Sequence, residues 1–133
     1  MPLKGAVIKA APTSFTVVGG TDETLSEMGT VIPGGLQLTD NAVTDFYVRP
    51  VVTVKAKPAT RLADGTYSRM KNTVTFTLPK VLASGKQELN NMRIEFNVHP
   101  ETTVAEKLDL RSRVAQLLFD TDFTQFWDAG TLS

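Results

Sequence analysis

Cysteine is missing from all 133 residues, which excludes disulfides, thiolate metal sites and a cysteine nucleophile, and the single His99 cannot build a zinc site alone. No metal and no cofactor is expected. Long hydrophobic runs are also missing, and the opening MPLKGAVIKAAPTSF has no signal-peptide core, so no membrane segment is predicted and the chain is expected to stay in the cytoplasm unless something larger carries it out. Catalytic motifs are absent as well. GxSxG, GxxxxGK[ST] and HExxH do not occur, so acyl transfer, P-loop nucleotide binding and zinc hydrolysis lack their machinery. His99 has no sequence-local partner and reads as a structural residue at a strand end, while Asp120 and Asp122 read as helix-flanking residues rather than a proton-sharing pair. An enzyme is not expected.

What is present is an ordinary globular composition, 41% hydrophobic and 21% charged, in a length that suits one domain spanning 1–133. The zero net charge conceals a segregation. Between Phe46 and Arg93 stand Arg49, Lys55, Lys57, Arg61, Arg69, Lys71, Lys80, Lys86 and Arg93 against only Asp64 and Glu88, and both flanks are acidic. A middle segment this basic can present a positive surface to an anionic polymer.

Residues 1–99 read as β structure and residues 100–133 as helix, an α+β chain without internal repeat or linker. Lys4 to Ala11 and Phe15 to Val18 are candidate strands of an N-terminal hairpin; Asp22 to Met28 fits either a loop or one helical turn. Pro33-Gly34-Gly35 predicts a turn, Leu36 to Thr39 a short strand, and Asp40-Asn41 another turn. Then the alternation becomes clear. Val52, Val54 and Ala56 fall on one face of a strand over Val51 to Lys57, and Val74, Phe76 and Leu78 on one face of the next, over Asn72 to Leu78. Met92, Ile94, Phe96 and Val98 do the same after a loop predicted from Pro79 to about Asn91. Thr102 or Thr103, with Glu106 at capping-box spacing, starts a helix running to about Phe119, and Asp120 or Thr121 caps a short second helix that carries Phe123, Phe126 and Trp127 and stops at Gly130.

The opposite face of the sheet carries the chemistry. Thr53, Lys55, Lys57, Thr73, Thr75, Thr77, Asn91, Arg93 and Asn97 share it, supplying cations for phosphates and short hydrogen-bonding groups for sugars and bases. That is a platform for single-stranded nucleic acid, though without aromatic residues for base stacking. On composition alone a solvated antiparallel face accounts for it equally well. The greasy face and the Leu-, Phe- and Trp-rich tail must be buried together, either by folding back on the same sheet or by reaching across a partner's.

The strings KNTVTFTLPKV and NMRIEFNVH, followed by a helix ending AQLLFD, resemble the coat proteins of the single-stranded RNA bacteriophages, the leviviruses. The resemblance extends from about Arg49 to Asp128 and covers strands E (Val51 to Lys57), F (Lys71 to Pro79) and G (Asn91 to His99), the FG loop and both helices. It implies a five-stranded antiparallel sheet per subunit, an intertwined homodimer joined edge to edge, and helical tails laid across the partner. It further implies an icosahedral shell, usually T=3, that packages the RNA genome, with the coat protein also binding an operator hairpin to repress translation. By that resemblance the RNA-facing positions are Thr53, Lys55, Lys57, Thr73, Thr75, Thr77, Asn91, Arg93, Glu95 and Asn97. The dimer interface holds Leu108, Leu117, Leu118, Phe123, Phe126 and Trp127, and Leu82, Ser84, Gly85 and Lys86 make FG-loop assembly contacts. The sequence departs from the best-known pattern by having Thr75 in place of a strand F lysine and Asn91 in place of a stacking tyrosine. A stand-alone β-rich module for RNA or a protein partner is the alternative reading.

Overall fold

A computed structural model describes residues 3–12 and 14–132, which gather into two compact units: residues 20–100, and residues 3–12 and 14–19 together with 101–132. Among the described residues the first unit holds five strands, β1 (Leu25–Ile32), β2 (Gly35–Asp40), β3 (Val51–Lys57), β4 (Met70–Val81) and β5 (Gln87–Val98). They form one antiparallel meander in the order β1-β2-β3-β4-β5.

Register follows from the alternation. Leu38, Val52, Phe76 and Met92 lie in one cross-strand row and Leu36, Val54, Val74 and Ile94 in the next, so apolar residues of four strands share a face. Val52 and Val98 are buried there, whereas Phe76 remains 38% and Leu78 51% exposed. The apolar face is therefore only part-covered. At the other end of β2, Thr39 is 2% exposed and its hydroxyl donates to the Pro50 carbonyl at 2.8 Å, and the neighbouring Asp40 carboxylate accepts from Ala42 N–H at 2.9 Å to turn the chain out of the strand.

Three strand expectations are corrected. Residues 4–11 and 15–18 hold no strand among the described residues, because nothing pairs with their backbone as a neighbouring strand would; the first hairpin is β1–β2, closed by Pro33-Gly34. The stretch read as a loop or helical turn runs instead into β1, whose ladder is interrupted by a bulge between Glu27 and Val31. The loop expected from Pro79 to Asn91 shrinks to residues 82–86, since Leu78 pairs with Asn90, Pro79 with Leu89, Lys80 with Glu88 and Val81 with Gln87. Proline is tolerated in β4 because β3 pairing ends at Thr77, leaving Pro79 with no strand on that side.

The second unit contains α1 (Val104–Phe119), a 3-10 turn (Thr121–Phe123) and α2 (Thr124–Ala129). Thr103 caps α1 by accepting from Glu106 N–H at 3.2 Å while Glu106 accepts from Thr103 N–H at 3.3 Å, the reciprocal pair that the sequence spacing predicts. Asp120 caps the 3-10 turn through Asp122 N–H, and α2 ends on Gly130 in the left-handed region. Trp127 donates its indole N–H to the Leu117 carbonyl at 3.0 Å and stacks edge-on with Phe126, which does the same with Phe123. No residue of α1 or α2 is buried.

Candidate nucleic-acid interface

The ladder places the polar residues in rows across the sheet. Gln37, Thr53, Thr75 and Arg93 form one, Lys55, Thr73 and Glu95 the next, and Lys57, Lys71 and Asn97 a third, while Thr77 and Asn91 pair toward the opposite end. All ten residues read as RNA-facing thus share a single face. Three more join them. Lys71 and Gln37 occupy the same face by strand parity, and Arg69 reaches onto it from just before β4, donating from Nε to Asn97 Oδ1 at 2.8 Å. Lys71 was legible, since it stands two residues before Thr73, but Arg69 lies outside the strand and only its contact brings it in.

Charge on this face is concentrated at one end. Lys55, Lys57, Lys71 and Arg93, with Thr73, Pro33 and Gly34, line an open depression of about 360 Å3. Among the described residues only Lys71 of these cations has an ion-pair partner, Glu95, with Nζ 2.8 Å from Oε1. The Lys71 hydrogen bond holds the Glu95 carboxyl below the ordinary glutamate range, partly opposed by desolvation, and the charges of Lys71 and Arg93 add to the effect. Lys55, Lys57 and Arg93 have no ion-pair partner among the described residues. Toward the 82–86 turn the same face changes character, through Thr77 and Asn91 to Pro79, Val81 and Leu89.

The other predicted residues lie elsewhere. Leu82, Ser84, Gly85 and Lys86 make the turn at the β4–β5 tip, with Leu82 N–H donating to the Lys86 carbonyl and Gly85 N–H to the Leu82 carbonyl, each at 2.8 Å. Tyr47 braces the base of that turn by accepting the Gln87 N–H at its hydroxyl (3.1 Å) and the Gln87 amide at its carbonyl. A second turn repeats the construction: Leu62-Ala63-Asp64-Gly65-Thr66 matches Leu82-Ala83-Ser84-Gly85-Lys86, with Leu62 N–H to the Thr66 carbonyl at 2.7 Å and Gly65 N–H to the Leu62 carbonyl at 3.0 Å. Both glycines have positive φ, +89° and +85°, as the position after a type I turn in a tight hairpin requires. Leu108, Leu117, Leu118, Phe123, Phe126 and Trp127 all lie on the helices, Leu108 and Trp127 exposed and the other four half-buried.

The chain is 37% identical to a chain of the virus-like particle of bacteriophage GQ-907, superposes on it with a TM-score of 0.92, and covers 98% of its own length and 99% of that chain. It belongs to the coat proteins of the RNA bacteriophages. The virus-like particle of bacteriophage AVE019 shares the fold, with a TM-score of 0.65 at 16% identity over 84% of this chain and 86% of that one. No protein-family profile and no curated protein matches the sequence. This coat protein is accordingly a capsid component of a virion, with a structural role.

Proposed function

We propose that the coat protein packages single-stranded RNA inside a shell of homodimers, the two units of each chain working as one coat-protein domain. The observation that carries the RNA part is the cationic end of the polar face, where Lys55, Lys57 and Arg93 stand without an ion-pair partner among the described residues. A genome must be gripped at many places of differing sequence, and phosphate contacts suit that task better than base readout. Threonines and asparagines add hydrogen bonds with limited sequence information. Asn91 stands where the family pattern has a stacking tyrosine and Thr75 where it has a lysine, so recognition of an operator hairpin would use other residues.

The dimer is supported by the sheet edge. β5 is a 12-residue edge strand, paired among the described residues with β4 alone, and a long open edge of this kind is a template for a second copy. Joining β5 to its symmetry mate makes one sheet whose polar face carries each cationic cluster twice, and the helices, apolar and unburied, supply the surface that lies across the partner. Dimers then assemble, through the 82–86 turns, into an icosahedral shell of the T=3 type usual in the family, formed in the host cytoplasm.

The test is the salt dependence of RNA binding by the wild-type dimer and by Lys55→Ala/Lys57→Ala. The double variant is expected to lose about one unit or more of log–log slope, each single-strand phosphate contact being worth roughly 0.7. An unchanged slope and affinity would place RNA binding on another surface.

A further inference from the structure

The N-terminal arm carries no strand, yet part of its main chain is held. Lys9 N–H donates to Gln116 Oε1 at 2.6 Å, Gln116 Nε2 donates back to the Lys9 carbonyl at 2.8 Å, and Ala11 N–H donates to Asp109 Oδ1 at 2.6 Å. Asp109 and Gln116 are seven residues apart, two turns of α1, and therefore on one face of the helix. A primary amide that meets both the N–H and the C=O of one residue does what a neighbouring strand does. All three bonds go to backbone, so the grip ignores the side chains of the segment it holds.

We propose that Asp109 and Gln116 form a main-chain clasp on α1, and that residues 9–11 are a strap that detaches from it as a unit while α1 stays folded.

Both sides of the clasp are arranged for this. Asp109 is held in place by Arg113, whose Nε donates to Oδ2 at 3.0 Å, and Gln116 by its bond to the Ser112 carbonyl at 3.3 Å, so the helix keeps its clasp aimed whether or not it is filled. On the arm, Ala11 is held at φ +48°, a left-handed conformation that a residue with a Cβ adopts at a penalty, and Pro12 follows it. Release relieves that strain. Lys9, Ala10 and Ala11 are themselves exposed, so the burial that opposes release is confined to the half-buried Ile8 and Pro12 on either side of the strap. Elements with few buried contacts are the first to open in local unfolding.

Lys9 offers a direct readout, because trypsin cuts after it only when the strap is off. In the assembled full-length protein, Gln116→Leu keeps the helix-forming character of the position but removes two of the three bonds, and cleavage at Lys9 is expected to rise roughly tenfold or more with helical circular dichroism unchanged. Asp109→Ala should act in the same direction. Hydrogen exchange of the wild-type particle, read residue by residue after quench, makes the test independent of any variant: the Lys9 and Ala11 amides should exchange together, more slowly than free amides and faster than the amides in the middle of α1. Fast exchange at both amides would overturn the proposal, as would a Lys9 cleavage rate unmoved by Gln116→Leu in a folded particle. So would cleavage that rises only together with loss of helical signal, because the strap would then not be a separate unit.

Discussion

Lys71 and Glu95 are diagonal neighbours on β4 and β5, and their 2.8 Å contact places the only carboxylate of the cationic rows against one of its lysines. The pair is exposed, so it contributes little to stability. Its consequence is electrostatic: Glu95 occupies Lys71 and feels the charge of Arg93, whereas Lys55 and Lys57 have no ion-pair partner among the described residues. Glu95→Gln should free Lys71 for a phosphate, raising RNA affinity a few-fold at low salt and steepening the log–log salt slope by about 0.7. A salt titration of both proteins on the same RNA checks this. The sign with pH follows the same logic. Because the folded Glu95 pKa is depressed, the contact is fully formed above the ordinary glutamate range and is lost only as pH falls through that lowered value, so this pair should impart no pH dependence to RNA binding near neutrality and should strengthen it in acid.

The twin turns make a contrast in which sequence differs and geometry does not. Gly65 and Gly85 each hold a positive φ with nothing within 4 Å of a Cβ added there, so a substitution meets backbone strain alone. Gly85→Ala should destabilise the folded protein by about 1 kcal/mol. At the preceding position either residue serves: Asp64 accepts from Thr66 N–H at 3.0 Å, and Ser84 faces Lys86 N–H at 3.5 Å. Asp64→Ser should therefore be tolerated with a smaller loss than Gly85→Ala in thermal unfolding. If the 82–86 turn also makes the assembly contacts proposed for it, Gly85→Ala will leave dimers intact and reduce the yield of shells by sedimentation, and Gly65→Ala will not.

Where period-two alternation was strong, the sequence reading and the ladder agree residue for residue: Thr53, Thr75 and Arg93 stand in one row because their strands alternate without interruption. The capping box of α1 was legible for a similar reason, since Thr103 and Glu106 interact within one turn. Non-local features were not. β1 contains Ser26, Glu27 and Gly29 and is interrupted by a bulge, so neither propensity nor period marks it as a strand, and it exists through its pairing with β2. The opposite error occurred at residues 4–11 and 15–18, where Val, Ile and Phe give strand propensity but the described chain provides no strand to pair with. Pro79 misled the reading of β4, because a proline marks a strand end only where a partner needs its N–H. Arg69 joined the polar face through a contact with Asn97, 28 residues away, that spacing could not show.

Asp109 couples the N-terminal arm to acidity. Its carboxyl lies below the ordinary aspartate range, first because Ala11 N–H donates to it, then because Arg113 does, with desolvation opposing and the Arg113 charge adding. A depressed folded pKa gives stability that is present above the unfolded value and is lost as pH falls through the folded one. Acid should therefore loosen residues 9–11 before it disturbs the sheet, measurable as faster, intrinsic-rate-corrected exchange of the Ala11 amide as pH falls below the ordinary aspartate range. In Asp109→Asn that acid step should disappear. A step of equal size in the variant would assign it to another group.

Leu108 is 50% and Trp127 43% exposed, no residue of α1 or α2 is buried, and on the apolar side of the sheet Met92 and Ile94 are 43% and 42% exposed. Side chains of this kind left in water forgo roughly 1.5–3 kcal/mol each, and obligate homodimers bury such surface in large hydrophobic interfaces. An edge-to-edge sheet with crossed helical tails would cover both sets at once. Each chain should therefore depend on its partner for solubility, and a chain ending at Pro100 should be recovered as aggregate, with β-rich circular dichroism if the strands still form. Replacing Trp127 by Ala in the full chain is a milder version. It removes the indole bond to the Leu117 carbonyl together with the ring, and it should lower the dimer's unfolding temperature and raise the protein concentration needed for assembly. Size-exclusion chromatography with light scattering reads both variants, and a soluble, monodisperse monomer from the truncated chain would show that the helices are not what holds two subunits together.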